Sequence, residues 1–506
     1  MTGLRKMANK LLTETLQENI TLFKELLKYD GTVVYRDILN RHSRSFAACL
    51  VYVDGMVDAS VTNTQIIQPL MNFDPELYKT GSLLAEELKN KVIFANNIQT
   101  SATVDDLMLS LFSGNAILLI EGSGVALSIH CADLKNRAIT EPSLEKVLRG
   151  PKEGFTESLA INISLVRRRL KTQDLSLKFM EIGVRTKTRV CICYLDSLAD
   201  DRILKELEGR LNRIDIDGIL DSGYIQELIK DSPLSPLKTV GNTERPDVVT
   251  ARLLEGRIAV MVDGSPAALT LPFVFIEYFQ AAEDYYNNYY FASINRLIRV
   301  LGEIFTTCVP AIYVALITFH QEMIPTPLIV SISAARQDVP FPTILEAILL
   351  LLAFEVIREA GMRMPSPLGQ SVSIVGALII GQASVEARIF SAPMVIVVAA
   401  TGITGLLTLK IKGFSILVRF LLLFLAAFMG LYGLIFGIIG LFIYLFSMRS
   451  FGVPYMQEVG SLHSVDLKDT AVRMPWWQMR MRPKQISSKN VVREADSRAK
   501  GRQAGK

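Results

Sequence analysis

The pattern of apolar and polar positions divides the chain into two unlike halves. Residues 1–257 carry frequent charges between short apolar runs, whereas several stretches between Ile304 and Leu445 are long and uncharged. In the first half, Leu12, Leu16, Ile20, Phe23 and Leu27 recur at helical spacing and predict an amphipathic helix in an N-terminal segment, 1–42. The runs ACLVYV (48–53) and VCICYL (190–195) each read as a buried strand ending at an acidic residue. Residues Asp200–Leu211 have the helical period.

The same half contains an internal repeat. Leu111–Ile129 (LFSGNAILLIEGSGVALSI) aligns without gaps on Leu253–Leu271 (LLEGRIAVMVDGSPAALTL) at an offset of 142. Leu111/Leu253, Gly114/Gly256, Gly122/Gly264, Ser123/Ser265, Ala126/Ala268 and Leu127/Leu269 are identical, and Glu121 matches Asp263. The same offset pairs Cys49, Tyr52 and Asp54 with Cys191, Tyr194 and Asp196. Two matches at one offset predict two copies of one α/β unit, 43–130 and 185–271. EGSG and DGSP read as turns between paired strands; neither has the lysine and following Ser/Thr of a phosphate loop.

A helix needs about 20 apolar residues to cross a bilayer. Ile304–Gln321, Met364–Val385 and Phe390–Leu409 carry no formal charge, and Phe414–Ser447 carries only Arg419. Thr343–Ile357 is shorter and contains Glu346 and Glu355. Lys410 and Lys412 mark one cytoplasmic side, and the tail from Arg449, with twelve Lys plus Arg against five Asp plus Glu, marks another. Phe414–Ser447 then crosses twice, because one helix of that length is ~51 Å long against a ~30 Å core. A bend near Tyr432–Gly433 is predicted, with six spans in all.

The fold class expected is a cytoplasmic α/β region of two repeated subdomains followed by an α-helical polytopic membrane domain. The segments are 1–42, 43–140 (copy 1), a basic helical connector 141–184, 185–285 (copy 2), the membrane domain 286–448, and a basic cytoplasmic tail 449–506 expected to be partly disordered. The basic run VRRRLK (166–171) in the connector reads as a solvated helix face or as a contact with lipid or a partner.

Charges at membrane depth are costly and face protein or water. Glu346, Glu355, Arg358, Glu359, Arg363, Glu386 and Arg388 crowd the central region, among helix-breaking prolines such as Pro325, Pro340 and Pro365. One reading is a polar pathway between broken helices; the other is headgroup-level or structural pairing. The candidate pore or inter-subunit set is Glu303, Glu346, Glu355, Arg358, Arg363, Val375, Ile379, Glu386 and Arg388. Gly433 and Gly437 form a GxxxG, a candidate for close helix packing.

Composition narrows the rest. Hydrophobic residues make up 50% and charged residues 21% of the chain, and a net charge of +4 gives no nucleic-acid signature. Five cysteines without a CxxC fit a reducing compartment. No apolar stretch near the N-terminus reads as a signal peptide, so the first half is expected to stay cytoplasmic. His42, His130, His320 and His463 are isolated, and no nucleophile elbow, zinc motif or dinucleotide fingerprint is present. No catalytic residue, metal or cofactor is therefore predicted.

The segment from Pro340 to Ile403 resembles the A-subunit family of GerA-type spore germination receptors. So do NTERPDVVTARLLEGRIAVMVDGSP (242–266), NISLVRRRL (162–170) and RMPWWQMRMRP (473–483). The resemblance covers roughly 25–483. It implies a nutrient germinant receptor of endospore-forming bacteria, held in the spore inner membrane. Its implied partners are a transporter-like B subunit, a lipoprotein C subunit, membrane lipid and further copies of itself, and its implied role is a nutrient-gated ion channel. Two other readings stay open: a non-conducting accessory or scaffold homologue, and a secondary transporter suggested by broken helices and buried charge.

Overall fold

The computed structural model describes residues 10–41, 46–75, 82–95, 97–132, 141–142, 145–363, 381–457, 469–470, 472–483, 486 and 489–493. Copy 1 begins with α1 (Leu16–Leu26), β1 (Val33–Leu39) and β2 (Ala47–Val53), and continues through a helical stretch at 59–72 to β3 (Ile98–Ser101). It ends with α2 (Val104–Leu111), β4 (Asn115–Ile120) and β5 (Ala126–His130). Copy 2 repeats the series: α3 (Leu159–Arg169), β6 (Leu175–Ile182), β7 (Thr188–Leu195), α4 (Asp201–Asn212), β8 (Gly241–Thr243), α5 (Pro246–Leu254), β9 (Ile258–Val262) and β10 (Ala268–Leu271). The strand orders are β1-β2-β4-β5-β3 and β6-β7-β9-β10-β8, antiparallel throughout. Registers repeat too: Cys49 lies opposite Leu119, and Cys191 opposite Met261.

Both faces of each sheet are buried, which explains the continuous apolar runs. In β7, Cys191, Cys193 and Leu195 face one core, while Val190, Ile192 and Tyr194 face the other. That second core continues without a break into the helical half, through Ala311, Leu422 and Leu434.

The acidic residue of each turn has a structural reason. Glu121 accepts from the Leu16 backbone N–H at 2.8 Å, and Asp263 from that of Leu159 at 3.1 Å. Each carboxylate thus caps the first helix of its own copy. Asn19 and Asn162 repeat a second device, each accepting from and donating to the backbone of Thr13 or Thr156. The glycine after each acid, Gly122 or Gly264, has a positive φ of 78° or 86°.

The repeated unit therefore starts upstream of residues 43 and 185. Segments 1–42 and 141–184 supply the first helix and the edge strand of each copy. The edge strands escape the sequence pattern because they are only partly buried: β1 has one buried residue, Ile38. The basic run also differs from a solvated face. Arg167 is fully buried, ion-paired to Asp30 of copy 1 and stacked 4.6 Å from the Phe112 ring centroid. It joins the two copies, while Arg168 and Arg169 pair with Glu153.

The helical half contains α6 (Tyr289–Phe319), α7 (Thr326–Arg336), α8 (Thr343–Arg363), α9 (Ala392–Thr404) and α10 (Lys412–Ser447). Among the described residues, two helical stretches are long and apolar enough to cross a membrane, Tyr289–Phe319 and Leu409–Ser447. The second is not straight. Gly430 has φ 60° and ψ −139°, a conformation reserved for glycine, and the helix doubles back there. A Cβ at Gly433 would stand 2.2 Å from the Leu425 carbonyl oxygen, and one at Gly437 2.6 Å from Leu422 Cδ2. In a straight helix Leu422 and Gly437 would be ~22 Å apart. The turn is thus at Gly430 rather than at Tyr432–Gly433, and Gly433 and Gly437 let the two arms touch. At the other end, the Tyr444 hydroxyl donates to Ser235 Oγ at 2.7 Å, and Lys410 pairs with Glu145 at 2.7 Å. Both ends of α10 therefore rest on the α/β half.

Candidate functional site

α6 and the first arm of α10 run parallel with a constant register. Glu303 meets Ser415, Thr306 meets Arg419, and Phe319 and His320 lie against Gly430. Polar side chains recur along this seam and on the neighbouring α8 and α9. Glu303 Oε2 accepts from Thr408 Oγ1 at 2.7 Å, and Oε1 from Ser415 Oγ at 2.5 Å. One turn further, Arg419 Nε donates to the Thr306 carbonyl at 2.9 Å, and Thr306 and Thr404 share a hydroxyl contact at 2.9 Å. Arg419 Nη1 also lies 3.3 Å from Glu355 Oε1, whose other oxygen pairs with Arg358 at 2.5 Å.

Glu346 forms a separate tier ~13 Å along α8 from Glu355. It is fully buried and accepts from both the backbone N–H and the hydroxyl of Ser391, the residue that begins α9, at 2.5 Å each. Arg336 of α7 stands 3.9 Å from its second oxygen. Small residues permit this packing: a Cβ at Gly402 would overlap the Phe354 ring at 2.2 Å.

The structure thus brings Glu303, Glu355 and Arg358 together through Arg419 and seats Glu346 nearby. It leaves three candidates on the surface. Arg363 pairs with Glu359, Glu386 accepts from Gln382, and Arg388 pairs with Asp338, all exposed. Val375 and Ile379 lie outside the described residues. Sequence reasoning missed Arg419, Thr306, Thr404, Thr408, Ser415 and Ser391 as members of the site. Arg419 had a legible signal: a lone arginine in a long apolar run requires partners.

A second charged joint ties α6 to the α/β half and the tail. Arg296, fully buried, pairs with Asp284 at 3.3 Å and with Asp469 at 2.8 Å, while Arg299 also reaches Asp284. Tyr285 donates to Asp469 at 2.6 Å. Burial pushes the Asp469 carboxyl above its usual range, against the opposing charge of Arg296. Below it, Arg252 and Arg257 both clamp Glu255 and Glu277. Burial raises the Glu255 pKa, but Arg252, Arg257 and Arg493 outweigh it and hold the group below its usual range.

No group of three or more His, Cys, Asp or Glu among the described residues has metal-binding geometry. The chemistry on display is charge placement among apolar helices and a rigid connection to the sheets.

Comparison with known proteins identifies relatives of this chain. The model of a family described as Bacillus/Clostridium GerA spore germination protein matches residues 21–485. The Bacillus subtilis (strain 168) protein named Spore germination protein KA is 41% identical over 489 residues, covering 96% of this chain and 89% of that one. A second protein of that organism, named Uncharacterized membrane protein YfkQ, is 38% identical over 486 residues, covering 95% and 93%. A crystal structure of the N-terminal domain of the A subunit of the Bacillus megaterium spore germinant receptor GerK3 is 36% identical, with a TM-score of 0.41. The match covers 53% of this chain and 98% of that one.

Proposed function

The chain belongs to the Bacillus/Clostridium GerA family of spore germination proteins, and from that membership we propose that it is the A subunit of a nutrient germinant receptor. In this reading the chain assembles with further copies of itself, a transporter-like subunit and a lipoprotein subunit in the spore inner membrane. A nutrient held by a partner opens an ion path through the helical half, and germination begins. The observation that carries the reading is the end-to-end match to a named spore germination protein, over 96% of this chain.

The geometry supports a multi-pass arrangement with both terminal regions cytoplasmic. α6 from Val300 to Phe319 and the two arms of α10 are each ~25–30 Å long, the thickness of a hydrocarbon core. α8 and α9 with its flanks are proposed as two more crossings, and the uncharged run 364–385, which lies largely outside the described residues, as a third, six in all. The polar seam of Glu303, Arg419, Glu355 and Arg358, with Glu346 above it, lies at membrane depth, where only protein or water partners offset its desolvation. The ion path is proposed to follow this seam and the uncharged segments carrying Val375 and Ile379. Arg363, Glu386 and Arg388 stand on exposed surfaces suited to contacts between copies. The Arg296–Asp469 joint carries motion between the α/β half and α6.

A second reading is favoured by one observation: Glu303, Glu346 and Glu355 all have partners within the chain. A non-conducting accessory homologue would need only that structural pairing. Purified chain, reconstituted with its partner subunits in planar bilayers, discriminates. Nutrient-dependent current supports the channel; silence with correctly assembled subunits supports the accessory.

A further inference from the structure

We propose that the loops at 145–152 and 230–238 form a docking face for the anionic headgroup layer of the membrane, with Leu148 and Leu234 as its apolar anchors. The inference rests on the membrane-spanning reading above and goes beyond it by assigning a lipid contact to the α/β half.

Both leucines are almost wholly exposed, 97% and 101% relative to an extended reference. Single exposed leucines are ordinary on protein surfaces. These two differ because their loops are fixed. Arg245, itself 1% exposed, donates to the Glu145 carbonyl at 3.3 Å and to the Pro151 carbonyl at 2.8 Å, pinning both ends of the first loop. In the second, Asp231 accepts from the Phe451 N–H, Ser235 Oγ receives both the Leu237 N–H and the Tyr444 hydroxyl, and Lys238 N–H donates to Tyr278. Neither loop is free to tuck its leucine inward.

The location supplies the partner. Glu145 holds Lys410, just before α10 begins, and Ser235 holds Tyr444, close to its end. Because α10 doubles back at Gly430, these two ends share one level, that of the inner edge of the hydrocarbon. Each loop therefore stands where acyl chains give way to headgroups, and the second lies beside Tyr444, a residue type that favours that boundary.

The charge is complementary to phosphate. Lys146 and Arg149 are exposed beside Leu148, and Lys230 is half-exposed near Leu234. Lys230 and Lys410 both stand near Lys238: burial, then the charges of Lys410 and Lys230, lower its pKa, with Glu145 opposing. Apolar anchors ringed by lysine and arginine match a negatively charged interface better than a neutral one.

The test uses the full chain in lipid vesicles. An environment-sensitive fluorophore is placed on Leu148→Cys, Leu234→Cys or, as reference in the second arm of α10, Phe436→Cys, each with Cys308→Ala to remove the half-buried native thiol. Lipids brominated near the glycerol or deep in the chain report depth. The expected result is deep quenching at 436, and shallow quenching with a blue shift at 148 and 234. The shallow quenching should weaken in vesicles without phosphatidylglycerol, and on Lys146→Gln with Arg149→Gln. Quenching at 436 without any at 148 and 234 overturns the docking face while leaving the spans intact, and points to a protein partner or solvent there. Equal quenching in uncharged vesicles overturns the anionic assignment. No quenching at 436 removes the membrane reading, and this proposal with it.

Discussion

Arg419 Nη1 lies 3.3 Å from Glu355 Oε1, linking the first arm of α10 to α8 within the polar seam. The same arginine donates to the Thr306 carbonyl of α6, so one side chain ties three helices together.

Removing one member should therefore cost more than removing both. Breaking a buried pair leaves an uncompensated charge and typically costs ~3–5 kcal/mol, whereas apolar replacement of the whole pair is far milder. Arg419→Met should lower the midpoint of thermal unfolding in nanodiscs markedly, and adding Glu355→Met should recover part of the loss. Strictly additive losses would show that the two groups do not share a desolvated site.

The hairpin at Gly430 makes a topological prediction. A cysteine replacing Met323, exposed beyond the far end of α6, should react with an impermeant thiol reagent from outside, while one replacing Lys410 should not. Reaction at both positions from the same side would contradict a crossing by the first arm, and reaction from outside of a cysteine replacing Arg449, just past Ser447, would contradict the doubled-back helix. Gly430→Ala should impair folding, because its Cβ would meet His320 Cε1 at 2.6 Å in a strained backbone conformation.

Glu121 and Asp263 should be energetic twins. Each caps the first helix of its copy, and loss of such a cap costs ~0.5–2 kcal/mol. Glu121→Ala and Asp263→Ala should each lower stability by amounts in that range, and their effects should add, since the sites are independent. A negligible effect at either one would break the equivalence.

Much of this repeat is legible in sequence because its turn is under several constraints at once. The acid caps a helix, the following glycine needs positive φ, and the flanking residues fill two cores. The edge strands β1 and β6 are hard to see for the opposite reason, since half-exposed positions tolerate almost any side chain. In the helical half, apolar length and the lysines at 410 and 412 foretell a doubled-back helix, and the bend expected near Tyr432–Gly433 comes within a few residues of its turn at Gly430. The membership of the polar seam is less visible. Thr306, Thr404, Thr408 and Ser415 are common residues in apolar helices, and only the three-dimensional register of α6 against α10 makes them partners of Glu303 and Arg419. Arg167 misleads in the other direction, because a run of basic residues hides the one that is buried.

The Glu145–Lys410 contact should respond to acid. Burial raises the Glu145 pKa, but Lys410 and hydrogen bonds from Thr243 and Glu244 outweigh it and leave the group below its usual range. A carboxyl with a depressed folded pKa contributes stability above its unfolded value, ~4.3, that is lost as pH falls through the folded one. Hydrogen-exchange protection factors around 145–151, taken relative to the intrinsic rate at each pH, should therefore stay high at neutral pH and fall below pH ~4. Lys410→Gln should abolish much of that dependence. A pH-independent protection factor in the unaltered chain would contradict the contact.

The most direct test of the proposed role is gain of function. A spore-forming host lacking its own nutrient receptors receives the chain together with genes for a transporter-like and a lipoprotein partner subunit, and ion release and loss of refractility are followed across a panel of nutrients. At least one nutrient should trigger ion release, and omitting this chain or introducing Arg419→Met should abolish it. Spores that stay dormant with every nutrient, while a known receptor cassette restores germination in the same host, would contradict the proposed role.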